Sequence, residues 1–196
     1  YDDALFDIRQ GKLRIFSTQL TGIPVNDYNM QFRSLARTSY LFRVGENGTL
    51  RLTNVSGFTP YEGMAYGQPM VISEGNLQID GGYYCNMIDS FSSSGSTRGA
   101  AILIDGGTAV INGGRYAGTA CGIAVRNDAQ LTVNNGYIGS LDTGVYIGDN
   151  ASVVIHDGEF DRYEKTSSSS KSQNCAVMMN STGDLTIYCL LYTSPS

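Results

Sequence analysis

The chain repeats a pair of short strand-like segments, and the spacing within each pair hardly changes. The first segments end at Ile8, Val44, Ile72, Ile104, Val125, Ile147 and Met179. The second segments end 7 or 8 residues later, at Ile15, Leu52, Ile79, Ile111, Val133, Ile155 and Ile187. The distance from one pair to the next varies from 21 to 36 residues. A constant unit with return links of variable length is typical of a solenoid.

Alternation within each segment predicts which side chains face inward. Ala100, Ile102 and Ile104 occupy alternate positions of one strand and therefore share a face. The second segments repeat this pattern, with inward pairs such as Leu131 and Val133. Turns rich in Gly and Asn follow, and then a third strand that directs Tyr84, Tyr116, Ile138 and Phe160 inward. Three short strands and about 22 residues per coil are predicted, with apolar stacks as the core.

The repeats resemble a known scaffold. The turn sequences IDGG at 79–82, INGG at 111–114 and VNNGY at 133–137 are similar to those of large bacterial surface proteins of the pectin-lyase-like superfamily. The resemblance implies an all-β fold, a right-handed parallel β-helix solenoid of about seven coils. We expect residues 1–188 to be one segment, truncated at both ends and continued by further coils of the parent chain. Residues 189–196 break the pattern, and we expect a non-native or disordered tail there.

Insertions between repeats fall at one corner of the predicted coil. The loops 85–99 and 161–174 bracket two coils whose links are only 4 residues long, which predicts a notch between them. Variable loops on one side of a repeat scaffold commonly form a binding site. The residues predicted to line the notch are Tyr83, Arg115, Tyr137 and Glu159, with Arg126, Asp142 and Tyr146 nearby. Exposed aromatic and charged side chains suit sugar rings, although strands favour tyrosine on any exposed face.

Two further predictions concern the first strands. Their outward face is apolar, with Val71, Ala101, Leu103, Ala124, Tyr146, Ala176 and Met178. We expect long loops such as 21–39 to cover this face, and a partner protein is the alternative. The thiols of Cys121 and Cys175 are expected to face inward, reduced and two rungs apart, which is too far for a disulfide.

The resemblance brings enzymes into consideration, but their motifs do not match. Polygalacturonase-type members carry Asn-x-Asp, Asp-Asp and Gly-His-Gly motifs, and no usable arrangement of these is present. Asp142 with Glu159 is the only pair of carboxylates predicted near the notch. The single histidine, His156, occupies a turn column and is interpreted as a polar turn residue.

A calcium site is the other chemistry that the resemblance raises. Single acidic residues follow the first strands, at Glu46, Glu74, Asp105, Asp128 and Asp149. Calcium needs six to eight converging oxygens, whereas these residues are spread one per coil. A solvated acidic edge is therefore favoured over a calcium site, and no cofactor or metal is predicted.

Charge and composition narrow the class of function. The formal net charge is −5 with no basic run, which argues against nucleic acid as a partner. No apolar stretch approaches the ~20 residues that span a bilayer. We expect a secreted or cell-surface bacterial module, structural or adhesive, that contacts a polysaccharide or a host or cell-surface glycan. The alternative is a polysaccharide lyase or glycoside hydrolase whose catalytic residues are divergent or missing.

Overall fold

The computed structural model describes residues 4–17, 30–33, 40–58, 68–86, 99–140, 142–162, 175–180 and 182–188. These residues form strands that join one strongly curled, parallel sheet, and they contain no helix. The strands are β1 Ala4–Phe16, β2 Met30–Arg33, β3 Tyr40–Thr53, β4 Val55–Phe58, β5 Val71–Ser73, β6 Asn76–Asn86, β7 Ile102–Asp105, β8 Thr108–Gly118, β9 Cys121–Arg126, β10 Gln130–Val133, β11 Tyr137–Ser140, β12 Thr143–Ile147, β13 Ser152–Ile155, β14 Glu159–Arg162, β15 Cys175–Met179 and β16 Asp184–Ile187. The all-β class and the parallel pairing confirm the prediction at that level. In the part of the chain that the structure describes, nothing resembles a membrane-spanning helix.

Parallel pairing arranges the strands in three ladders. The first ladder runs through the beginnings of β1 and β3, then β5, β7, β9, β12 and β15. The second runs through the ends of β1 and β3, then β6, β8, β10, β13 and β16. The third runs through β2, β4, the ends of β6 and β8, then β11 and β14. The chain visits the ladders in turn, as expected for a β-solenoid.

The second ladder follows the predicted register throughout. Its inward column aligns Ile15, Leu52, Ile79, Ile111, Val133, Ile155 and Ile187. Leu52 and the four residues after it are fully buried, whereas Ile187 at the end of the ladder is 42% exposed. The variable links run from the third ladder to the first ladder, so they do not adjoin the strands of the second ladder.

The third ladder also confirms its predicted register. Tyr84, Tyr116, Ile138 and Phe160 align as an inward column. The rings of Tyr84 and Tyr116 are stacked with centroids 5.5 Å apart and an interplanar angle of 3°. The hydroxyl of Tyr116 donates a hydrogen bond of 2.7 Å to the carbonyl of Gly113, which satisfies a polar group at the edge of the core.

The first ladder departs from prediction at β5. Ser73, not Ile72, aligns with Val44 and Ile104. The prediction that Val71 faces outward is therefore wrong: it aligns with Phe42 and Ile102 in the core, and Ile72 takes the outward position. The cause is a tight turn, since Ser73 and Asn76 are three residues apart whereas their partners Ile104 and Thr108 are four apart. A one-residue shift exchanges the two faces of a strand.

Glycine makes this short turn possible. A Cβ on Gly75 would lie 2.3 Å from the carbonyl oxygen of Gly45 and 2.5 Å from that of Gly48. Any larger residue would therefore force the neighbouring turns apart. The shift also places the hydroxyl of Ser73 in the apolar column, fully buried and without a hydrogen-bond partner among the described residues.

The corner before the first ladder is the second departure. Ala101 and Ile102 both belong to the main core although they are consecutive, and a Cβ on Gly122 would lie 2.6 Å from Cγ2 of Ile138. Ala100 and Cys121 are buried instead in a separate group, called here the second cluster, which comprises Ile72, Ala100, Leu103, Cys121 and Ala124. The predicted inward positions of Ala100 and Cys121 and the outward position of Ala101 are therefore wrong. Strict alternation fails because the chain bends where one ladder passes to the next.

The second cluster forms the outward face of the first ladder. Leu103 is 4% exposed and Ala124 is fully buried, with Tyr40 and Tyr146 packed against them. Most of loop 21–39, predicted to cover this face, lies outside the described residues. The prediction that 21–39 is entirely loop is wrong, because 30–33 forms β2 and pairs with β4 in the third ladder.

The thiols are spaced as predicted. Thr143 pairs with Cys121 on one side and with Cys175 on the other, so the two cysteines are two rungs apart. Burial, followed by the negative charge of Asp142, raises the pKa of the Cys121 thiol to about 12. This thiol is therefore protonated and unreactive near neutral pH.

Candidate functional site

The third ladder carries the row predicted for ligand binding. Tyr83, Arg115, Tyr137 and Glu159, called here the outward row, align on successive strands. Each comes one residue before an inward aromatic or apolar residue, so alternation turns it away from the core. Glu159 is exposed, whereas Arg115 and Tyr137 are half-buried.

Arg115 and Tyr137 form the centre of the outward row. The guanidinium carbon of Arg115 lies 4.5 Å from the centroid of the Tyr137 ring, a cation–π arrangement. The Nε of Arg115 is buried and has no hydrogen-bond partner within the described part of the chain. The ring therefore orients the guanidinium of Arg115.

A second line of outward positions follows two residues later, and it was not identified from the sequence. It consists of Cys85, Ala117, Gly139 and Asp161. The Tyr137 hydroxyl donates a hydrogen bond to the carboxylate of Asp161 on the next strand. The two central residues are small and buried. Continuing the same alternation by one step would have found these positions.

Arg126 and Tyr146 lie on the first ladder, and the register does not align them with the outward row. Arg126 donates hydrogen bonds of 2.7 and 2.9 Å to the carboxylate of Asp105. The hydrogen bonding has the largest effect on the pKa of Arg126 and raises it, as does the negative charge of Asp105, whereas burial acts to lower it. The Tyr146 ring packs on the second cluster, and its hydroxyl accepts a hydrogen bond of 3.2 Å from Nδ2 of Asn180.

The two candidate catalytic carboxylates, Glu159 and Asp142, lie near opposite ends of β11. Glu159 pairs with Tyr137 at the start of β11, and Asp142 follows the end of that strand. Because a strand rises ~3.3 Å per residue, the Cα atoms of Tyr137 and Ser140 are already about 10 Å apart. The pairing therefore does not make the two carboxylates neighbours.

Among the acidic residues that follow the first ladder, Asp105 and Asp128 bond to neighbouring turns. The Asp105 carboxylate also accepts a hydrogen bond of 2.6 Å from Asn127 Nδ2, and the Asp128 amide donates to the carbonyl of Asp149 at 3.0 Å. Within the described ranges, no three His, Cys, Asp or Glu side chains come together as a metal site. Most of the two loops predicted to form the notch, 87–98 and 163–174, lies outside those ranges.

A polar column runs along the turn after the second ladder. Asn134 donates to Oδ1 of Asn112 at 2.7 Å, and Asn112 donates to Oδ1 of Asp80 at 2.6 Å. His156 continues the column and stacks on Tyr188 with centroids 4.8 Å apart. These contacts join neighbouring turns, which is a structural role.

Comparison with known proteins does not assign the chain to a family. No family model, curated protein or solved structure matches the chain. The pectin-lyase-like resemblance therefore depends on the repeat pattern and on the turn sequences alone.

Proposed function

We propose that this chain is a right-handed parallel β-helix of about seven coils that serves as a rigid, secreted or cell-surface adhesive module of bacterial type. Its outward row on the third ladder binds a polysaccharide or a surface glycan. The chemistry of this row supports binding, because an oriented arginine and a tyrosine ring lie side by side on it.

The single observation that carries the proposal is the Arg115–Tyr137–Asp161 arrangement. The ring offers a flat apolar surface, the guanidinium lies 4.5 Å from its centroid, and the Asp161 carboxylate accepts from its hydroxyl. Sugars present both C–H faces and hydroxyl groups, so they match an aromatic ring flanked by a hydrogen-bond donor and an acceptor.

The length of the outward row also supports the proposal. The flanking residues Tyr83 and Glu159 extend the polar surface along the helix axis by one strand on each side. Neighbouring strands are about 4.8 Å apart, so the four strands extend over about 14 Å, roughly the length of a short oligosaccharide.

A glycan array probed with the purified chain tests the proposal. We expect binding to a limited set of glycans, and Tyr137→Ala to weaken it by about 1–2 kcal/mol, since one aromatic contact is lost. Thr132→Ala is the matched control, because Thr132 faces outward on the second ladder of the same coil. No bound glycan, or equal binding by the two variants, would contradict the proposal.

The same samples distinguish the enzymatic alternative. Incubation of the chain with the glycans that it binds should leave their lengths unchanged when the products are separated by mass. Shortened products that disappear in Glu159→Gln would identify a polysaccharide-cleaving enzyme instead.

A further inference from the structure

Asparagine followed directly by glycine occurs three times in the chain, at 47–48, 112–113 and 135–136. Glycine has no Cβ, so its amide nitrogen approaches the side chain of the preceding asparagine with little steric hindrance. When that nitrogen attacks the side-chain amide carbon, a five-membered succinimide ring forms, which is the first step of asparagine deamidation. By sequence alone the three sites are equivalent, but their surroundings in the fold differ.

The turn between β10 and β11 folds the side chain of Asn135 back onto the next amide. The nitrogen of Gly136 donates a hydrogen bond of 2.6 Å to Oδ1 of Asn135. Because a carbonyl bond is about 1.23 Å long, this contact holds the nitrogen within about 3.8 Å of Cγ, the carbon that it attacks. Reacting atoms roughly 3–3.5 Å apart are close to a reactive geometry. Asn135 is also exposed, so water reaches the site.

The same contact recurs one coil later. Asp157 and Gly158 occupy the equivalent turn, because Tyr137 and Glu159, which follow the two turns, are paired. The nitrogen of Gly158 donates a hydrogen bond of 2.8 Å to Oδ1 of Asp157. The conformation of the turn therefore sets this geometry. Of the two sites Asn135 is the more reactive, since an aspartate carboxylate is negatively charged at neutral pH and resists attack by an amide nitrogen.

The side chain of Asn112, which precedes Gly113, is bonded to neighbouring coils instead. Its Nδ2 donates a hydrogen bond of 2.6 Å to Oδ1 of Asp80, and its Oδ1 accepts one of 2.7 Å from Nδ2 of Asn134. Formation of the ring removes Nδ2 and rotates the carboxamide, so it disrupts both hydrogen bonds. Their loss adds to the barrier and slows the reaction at this site.

At Asn47 and Gly48 the backbone is held by its neighbours. The two residues pair with Gln10 and Gly11 in the parallel ladder of β1 and β3. A Cβ on Gly48 would lie 2.2 Å from the carbonyl oxygen of Ile8, which shows how closely the chains approach there. The ring requires the next nitrogen to rotate onto the side of Cβ, away from the extended conformation. Ladder pairing and close packing oppose that rotation.

We propose that Asn135 is a spontaneous modification site of the folded chain, where deamidation produces aspartate and isoaspartate. The nitrogen of Gly136 loses its proton and forms a bond to Cγ, and Nδ2 leaves with that proton as ammonia. Water then adds to one of the two ring carbonyls and breaks its bond to nitrogen. Opening at Cγ gives aspartate. Opening at the main-chain carbonyl gives isoaspartate, in which the backbone passes through Cβ and Cγ.

Either product changes the chain just before β11. Both add a negative charge at residue 135, opposite Asp157 in the equivalent turn of the next coil, and like charges opposite each other are destabilising. Isoaspartate also adds one backbone carbon two residues before Tyr137, where β11 pairs with β8 on one side and β14 on the other. The proposal is independent of glycan binding, because only the chain and water react.

Incubation of the folded wild type in neutral buffer tests the proposal. Samples taken over weeks are digested under mildly acidic conditions, and their peptides are analysed by mass spectrometry with fragmentation that distinguishes isoaspartate. We expect conversion at Asn135 to be about tenfold faster than at Asn47 or Asn112. In a digest incubated in parallel, the three sites should react at similar rates, because the contacts that distinguish them are lost.

Asn135→Gln is the matched control variant. The exposed side chain keeps its carboxamide, but it would have to close a less favourable six-membered ring. The substitution should therefore eliminate the mass gain from this peptide, which also contains Asn134. Persistence of the gain in the variant, equal rates at the three sites of the folded chain, or an equal lead for Asn135 in the digest would overturn the proposal.

Discussion

The second and first ladders are made by the same chain in the same coils, yet only one of them follows simple alternation. The second ladder keeps one unbroken apolar column from Ile15 to Ile187. The first ladder shifts by one residue at Ser73 and loses alternation at Ala101 and Gly122. The loss of alternation lies where the variable links lead into the first ladder, whereas the shift at Ser73 accompanies the shorter turn that follows β5.

This comparison shows where a periodic pattern determines packing and where turns do. A second strand begins after a turn held by close backbone packing, and the turn after β5 is one residue shorter, so the second ladder keeps its column although the first ladder shifts. A first strand begins where a link of 4 to 19 residues ends, and its register depends on how that link is anchored. The predictions below test whether the two ladders respond differently to substitution.

The largest effect is expected in the regular column. Ile111→Asp places an unpaired carboxylate between Ile79 and Val133, and burying such a charge should cost more than about 4 kcal/mol. Chemical denaturation should find the variant largely unfolded. The matched control Val110→Asp, on the outward side of the same strand, should cost about 1 kcal/mol or less. Comparable losses in the two variants would mean that the column is not inward.

An anchor of the first ladder should give the next largest effect. The buried Asn86 side chain donates hydrogen bonds of 2.8 Å to the Gln68 carbonyl and 2.7 Å to the Ala100 carbonyl, at the ends of two links. Asn86→Leu should lower the free energy of unfolding by about 2–4 kcal/mol, because both carbonyls lose their donor. The same change at exposed Asn76 on the second ladder should have little effect, and a reversed order would contradict the anchoring role.

The pH dependence of stability should reveal Asp80 at the end of the second ladder. Burial acts to raise the pKa of this carboxyl, but hydrogen bonds from Asn112, Gln78 and Arg51 prevail and hold it below the ordinary value of 3.8. A lowered pKa stabilises the fold above the unfolded-state pKa, and that contribution is lost as pH falls through the folded-state value. Unfolding titrations from about pH 6 to pH 2 should show a steeper loss for the wild type than for Asp80→Asn. Parallel curves would show that the carboxylate contributes nothing.

The smallest effect is a gain, at the shifted position of the first ladder. Ser73→Ala removes a buried hydroxyl that has no partner among the described residues, and should raise the free energy of unfolding by about 0.5–1 kcal/mol. Ser152→Ala, on the outward side of the second ladder, is the control and should change little. A loss of stability in Ser73→Ala would show that the hydroxyl is satisfied after all.

Much of this architecture follows from sequence patterns. Period-two alternation predicted both inward columns of the second ladder, the inward column of the third ladder and the outward row, because it persists there without interruption. The shift at Ser73 was not predicted, since Ile72 fits the apolar pattern equally well and only the packing of Gly75 against Gly45 and Gly48 excludes it.

The candidate site shows the same limit. Alternation predicted that Arg115 and Tyr137 are neighbours on one face, and the register confirms it. The hydrogen bond from Tyr137 to Asp161 and the placement of Arg115 against the ring depend on side-chain directions, which a periodic pattern does not specify.

The most direct test of the stacked ladders uses the native thiols. Thr143 lies between Cys121 and Cys175 in register, and its Oγ1 is 3.8 Å from the Cys175 Sγ. Thr143→Cys brings two thiols onto adjacent rungs, within the usual Cα distance of a disulfide. After mild oxidation, peptide mapping by mass spectrometry should find a Cys175 disulfide to the introduced thiol, and no Cys121–Cys175 disulfide in the wild type. A Cys121–Cys175 disulfide in the wild type, or no disulfide in the variant, would contradict the consecutive stacking of β9, β12 and β15.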